Sequence, residues 1–298
     1  MYHRRKIILA LLNLIKEPIS LIQMQKFLFL FTRMEQEKKT FDFVPYLYGC
    51  YSYQANQDII TLNNYGLVQL EGHNATSKLK LSHDKTTPVD LDLFEYNAIN
   101  NIVLQYGKMS EDQLLYYIYT KYPYYAINSI RASYLLSAEE MAIVNKQKRS
   151  YKEEMLFSIG YEGLSLESYL NKLILNDVHV LCDVRKNAYS QKYGFSKHQL
   201  ANACQGLHIE YIHIPSLGID SSMRSDLNSQ TDYDILFDKY EKNILPLRND
   251  DIDFILNLIK QKGRVALTCF EKDPKQCHRT RIINKILSKS TIPFKLLS

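Results

Sequence analysis

Apolar positions along the chain follow one rhythm up to about residue 150 and another after it. In the first part they recur at helical spacing. "KIILALLNLI" is closed by Pro18, and Ser20 stands as an N-cap before "LIQMQKFLFLFTRMEQE". A third helix is predicted over "QANQDIITLNNYG", and two alternating runs, "LVQLEG" and "SKLKLS", form a ribbon around the turn "HNATS". Helices followed by a two-stranded ribbon predict a winged helix, and a helical packing or dimerisation domain with a hairpin fits the same pattern. A further helical stretch runs from "DLFEYNAIN" to Pro123, and "NKQKRSYKEE" reads as a linker.

From Met155 the rhythm changes to short continuous apolar runs, "LFSIG", "VHVLCDV", "IEYIHIP", "RVALTCF" and "FKLL". Between them lie helical patterns such as "LSLESYLNKLILND", "FSKHQLANACQGL" and "DIDFILNLIKQKG". Unbroken apolar strands alternating with helices predict a parallel, Rossmann-like α/β sheet, because parallel strands are covered on both faces. The chain therefore divides into a mainly helical, winged-helix-like domain over 1–150, with possible DNA contact, and an α/β domain over 151–298.

Composition supports this division and limits the partners. At 298 residues, 46% hydrophobic and 23% charged, the chain can bury more than one core. The net charge of +5, from 37 Lys and Arg against 32 Asp and Glu, suits a polyanion without demanding one. There is no apolar run near the ~20 residues of a membrane span, and the five cysteines are odd in number and scattered. The expectation is a cytoplasmic protein with reduced thiols, no membrane partner and a nucleic acid, DNA first, as ligand. The tyrosines Tyr116, Tyr117, Tyr119, Tyr122, Tyr124 and Tyr125 could stack on unpaired bases, but their helical spacing points to core packing.

Ligands of a parallel sheet bind beyond the carboxyl ends of its strands. There the sequence places Gly160, Tyr161 and Glu162 after the first strand, Asp183 and Arg185 after the second, His213, Ser216 and Gly218 after the third, and Cys269, Glu271 and Asp273 after the fourth. Cys277, His278 and Arg279 open the last helix, where free N–H groups and cationic side chains would hold a phosphate. A metal site is not expected, because C-x7-C-H lacks the paired spacing by which one turn presents two ligands. Cys269 reads as a small core residue.

These blocks carry a resemblance. "SIGYEG", "LCDVRKNAYSQKYGFSKHQL", "GLHIEYIHIPSLGI" and "VALTCFEKDPKQCHR" resemble the recurrent segments of the bacterial domain-of-unknown-function family 488 over about residues 156 to 298. Asn187-Ala188 stands where a basic-Pro pair is common, and the N-terminal half resembles an extension found on some members. The family implies no defined activity.

The strand-end residues favour hydrolysis. A lone "SIGYEG" lacks the third glycine of a dinucleotide fingerprint, and neither a Ser/His/Asp set nor a phosphate loop is present. No cofactor is expected. The leading expectation is a DNA glycosylase-like enzyme that excises a base, with phage defence as a setting. Asp183, Glu162 and Glu271 are its candidate catalytic carboxylates; Gly160, Tyr161, Arg185, Asp273, Cys277, His278 and Arg279 are its substrate-binding candidates. A metal-dependent nuclease and a non-catalytic DNA-binding regulator that senses a nucleotide remain alternatives.

Overall fold

The structure is a computed structural model that describes residues 1–35, 39–72, 76–82, 90–224 and 227–297. It comprises two compact units, Met1–Lys148 and Arg149–Ser298.

In the first unit, helix α1 (His3–Ile15) is followed by the short strand β1 (Ile19–Ser20) and helix α2 (Leu21–Met34). Ser20 starts α2 through a capping box, its hydroxyl accepting from the Gln23 amide while the Gln23 side chain accepts from the Ser20 amide. A hairpin of β2 (Val44–Tyr46) and β3 (Gly49–Tyr51) leads into α3 (Tyr53–Asn64), β4 (Val68–Glu71) and β5 (Lys78–Leu81). β1, β5 and β4 form an antiparallel sheet in that order. The predicted ribbon is therefore present with a third strand added; its turn at His73, Asn74 and Ala75 and the end of the second helical pattern, Gln36-Glu37, lie outside the described residues.

Buried Asp58 of α3 accepts from Arg4 and Arg5 of α1, each at 2.8 Å, locking the two helices. The stretch expected to run on to Pro123 is two helices, α4 (Leu93–Tyr106) and α5 (Glu111–Lys121). They separate because Gly107 ends the first and Ser110, in a capping box with Gln113, starts the second. Short α6 (Ala132–Leu135) and α7 (Ala138–Gln147) complete the unit. Tyr119 is fully buried, while Tyr122 and Tyr125 pack edge-on against Phe29. Tyr119 is a core residue, and Tyr122 and Tyr125 are partly buried against the core.

The second unit runs β6 (Met155–Gly160), α8 (Leu166–Leu175), β7 (Val180–Asp183), α9 (Lys197–Gln205), β8 (Glu210–His213), α10 (Gln230–Asn243), α11 (Asn249–Lys262), β9 (Arg264–Cys269), α12 (Arg279–Ser288) and β10 (Phe294–Leu296). All five strands are parallel, in the order β10-β6-β9-β7-β8. β9 is central and wholly buried. Its end, and with it Cys269, emerges between the ends of β6 and β7.

Candidate active site

β9 delivers Cys269 to the carboxyl edge, and the next eight residues fold back on it. Asp273 caps a single 3-10 turn, Pro274–Gln276, by accepting from the Lys275 amide at 2.9 Å. Cys277 is then extended, and His278 takes helical angles at the start of α12, so both side chains return to the strand end. The Cys269 and Cys277 sulfurs, a carboxylate oxygen of Glu271 and a ring nitrogen of His278 lie within 4.8 Å of one another. Among the described residues this is the one such group of His, Cys and acidic donors.

Hydrogen bonds orient the cluster. His278 donates from Nε2 to the Val184 carbonyl at 3.0 Å, which leaves the Nδ1 lone pair facing inward in the neutral ring. Nδ1 stands 3.8 Å from Cys269 Sγ and accepts from Arg224 Nη2 at 3.1 Å. Arg224 Nη1 also donates to Glu271 Oε1 at 2.5 Å, while Glu271 Oε2 accepts from Cys269 Sγ at 3.0 Å.

Burial alone would raise the Cys269 pKa. The Cys277 thiol, His278 and Arg279 outweigh it and hold the group well below the ordinary thiol range. Burial, together with the neighbouring Cys269, pushes Cys277 well up, and it raises Glu271 as well. Within the pair, Cys269 is thus the more acidic thiol and Cys277 the less acidic one.

The other strand-end candidates build the support beneath this cluster. Asp183 is fully buried and saturated. It accepts from the Arg185 backbone amide at 3.1 Å, from Arg185 Nε at 2.8 Å and Nη2 at 2.5 Å, and from the Tyr211 hydroxyl at 2.6 Å. Burial would lower the Arg185 pKa, yet Asp183 more than compensates and raises it. Arg185 also donates to the Tyr161 hydroxyl at 2.7 Å, and the Tyr161 ring is stacked on Phe195 at 4.3 Å. Tyr161 is therefore enclosed by protein and offers no open face to a base.

Gly160 allows close passage of the next loop, since a Cβ there would lie 2.0 Å from the Glu271 carbonyl oxygen. Glu162 is exposed and accepts from the Lys272 amide at 2.9 Å; Asp273 is exposed in its capping role.

The expected phosphate grip at the start of α12 is not what the geometry provides. Arg279 is fully buried and donates to Ser158 Oγ at 2.7 Å, the Ile159 carbonyl at 2.8 Å and the Glu271 carbonyl at 3.2 Å. It lies on the inward stripe of α12 with Ile282, Ile283 and Ile286, so it faces the sheet. His278 is likewise fully buried. Exposed cations stand instead on the surrounding connections, at Lys186, Lys272 and Lys275, and at the first residue of α9, Lys197, together with half-exposed Lys192. Tyr189 and Phe270 are exposed aromatics on the same connections.

Residues 165–286 match a family model, Domain of unknown function DUF488. The match lies within the second unit. No curated protein and no solved structure matches the chain. The matched span contains Asp183, Arg185, Tyr211, Arg224, Cys269, Glu271, Cys277 and His278, whereas Gly160, Tyr161 and Glu162 precede it.

Two residues of the candidate site, Arg224 and Tyr211, have no sequence signal of their own. Arg224 lies in the short 3-10 segment Ser221–Arg224, which lacks periodicity. Tyr211 lies on β8, where alternation with apolar neighbours gave no reason to pair it with Asp183.

Proposed function

We propose that the protein is a nucleic-acid-directed hydrolase that excises a base from DNA, with Glu271 as its reacting carboxylate. The observation that carries the reading is the contrast among the strand-end acids. Asp183 is sealed and saturated, Glu162 and Asp273 lie out among exposed loops, and Glu271 alone is both held inside the central cluster and partly open. Arg224 fixes one of its oxygens, which preorganises the carboxylate at the end of the middle strand.

In such a reaction the oxygen of water bonds to C1′ as the C1′–N bond breaks. The bonding pair leaves on the base nitrogen, which takes up a proton. A positioned carboxylate steadies the cationic sugar and accepts the water proton. The lysines at 186, 192, 197, 272 and 275 suit the flanking phosphates, and exposed Tyr189 and Phe270 suit a displaced base.

The first unit supports the same reading. Its order α1-β1-α2-β2-β3-α3-β4-β5, with β1 joining the ribbon, is compatible with a winged helix into which the β2–β3 hairpin is inserted, and α3 presents half-exposed Asn56 and Gln57 and exposed Asn64. The test is incubation with unmodified and base-modified DNA, single- and double-stranded, followed by alkali. Alkali-labile sites with release of free base support excision; direct breaks indicate a nuclease, and intact DNA with retained binding indicates a regulator.

A further inference from the structure

We infer that Cys269, Cys277 and His278 bind a zinc-class divalent ion, with Glu271 on the open side holding the water that completes the coordination. The spacing C-x7-C-H argues against such a site, and the fold removes the objection. The capped turn at Pro274–Gln276 returns Cys277 to Cys269, and the change from extended to helical backbone lets adjacent Cys277 and His278 point to one place.

The donor chemistry selects the ion. Two sulfurs and an imidazole suit zinc and its tetrahedral relatives, whereas magnesium and calcium take oxygen donors. His278 has the orientation of a ligand. Its Nε2–H is spent on the Val184 carbonyl, the outer-sphere bond that fixes a ligating ring, and Nδ1 faces both sulfurs. The Arg224 N–H that now meets Nδ1 stands where the ion would bind, and Arg224 can keep its second bond to Glu271 when the ion replaces it.

The three ligands are 2% exposed or less, whereas the Glu271 and Arg224 side chains are 12% and 30% exposed. The site is thus closed on the ligand side and open on the Glu271 side. Three protein ligands with an open fourth position are the arrangement of catalytic rather than structural zinc, and such an ion lowers the pKa of bound water to about 7. Glu271 is placed to take that water's proton. The inference names the cofactor of the site proposed above, but the ion itself does not depend on the substrate being DNA.

The test is metal analysis of the full chain purified under reducing conditions, and replacement of the ion by cobalt(II). A stoichiometric ion, with thiolate-to-cobalt charge transfer in the near ultraviolet and tetrahedral bands in the visible, is the expected result. Cys269→Ser and Cys277→Ser should each weaken the charge transfer, while Glu271→Gln should keep the ion.

Wild-type protein that takes up no zinc or cobalt, or whose cobalt spectrum lacks thiolate bands, overturns the site; so does an ion-free chain in which Cys269 and Cys277 simply oxidise to a disulfide. Loss of the ion from a folded Glu271→Gln variant would make Glu271 a fourth ligand and overturn the open position. A bound ion with every DNA substrate left intact would refute the DNA reading alone, and base release by ion-free protein would refute the ion alone.

Discussion

Replacing Asp183 by Asn tests whether this carboxylate acts on substrate or on the protein. The side chain is fully buried, and its two oxygens receive the Arg185 guanidinium, the Arg185 amide and the Tyr211 hydroxyl. An Asn keeps the shape but leaves the Arg185 charge buried and unbalanced, with Arg185 itself only 6% exposed. Removing one partner of a buried pair costs about 3–5 kcal/mol. In a unit of this size that lowers the melting temperature by on the order of 10 °C.

Thermal and urea unfolding of wild type, Asp183→Asn, Arg185→Met and the double variant provide the assay. The double variant should be less destabilised than the sum of the singles, because the unbalanced charge disappears with its partner. Any activity of Asp183→Asn should fall in proportion to its folded fraction. An Asp183→Asn protein as stable as wild type but inactive would refute the reasoning and return Asp183 to direct chemistry.

Arg279→Ala should destabilise the second unit and leave the salt dependence of DNA binding unchanged, since its guanidinium is spent on Ser158, Ile159 and Glu271; Lys272→Ala or Lys275→Ala should instead lower the log–log salt slope by about 0.9 per phosphate contact, measured by anisotropy titration. Gly160→Ala should shift the Glu271 loop, because the new Cβ meets backbone at 2.0 Å, and melting and activity should fall together. Burial holds the Lys26 pKa below its ordinary value, so the folded first unit binds this proton less well than the unfolded chain does. Its stability should therefore rise with pH between the depressed value and about 10.4 and fall again on acidification, and Lys26→Met should flatten that part of the urea profile.

The parallel sheet was legible because its inner strands are covered on both faces. "LFSIG" and "RVALTC" show this directly, as every residue of the second lies buried in β9. α10 was not legible. It buries only Leu236, Phe237 and Tyr240 in a strongly polar sequence. The β2–β3 hairpin escaped notice because its strands are three residues each and one contains Pro45.

At the site, strand-end placement identified the right edge of the sheet but not which groups meet there. The distance from Cys269 to Cys277 depends on a capped turn that a spacing rule cannot see. Arg279 was misplaced for a different reason. A cation at a helix start suggested an anion, although its register with Ile282, Ile283 and Ile286 already placed it on the buried stripe.

The central claim is that Glu271, not Asp183, is the reacting carboxylate of a base-excising enzyme. The most direct measurement is free-base release, by mass spectrometry, from DNA carrying unmodified and modified bases, comparing wild type with Glu271→Gln at matched DNA occupancy. The expected result is base release with abasic sites by wild type, and a loss on the order of a hundredfold or more in the variant while DNA binding persists. Undiminished release by a folded Glu271→Gln protein, or no release from any substrate that the wild type binds, would contradict the account.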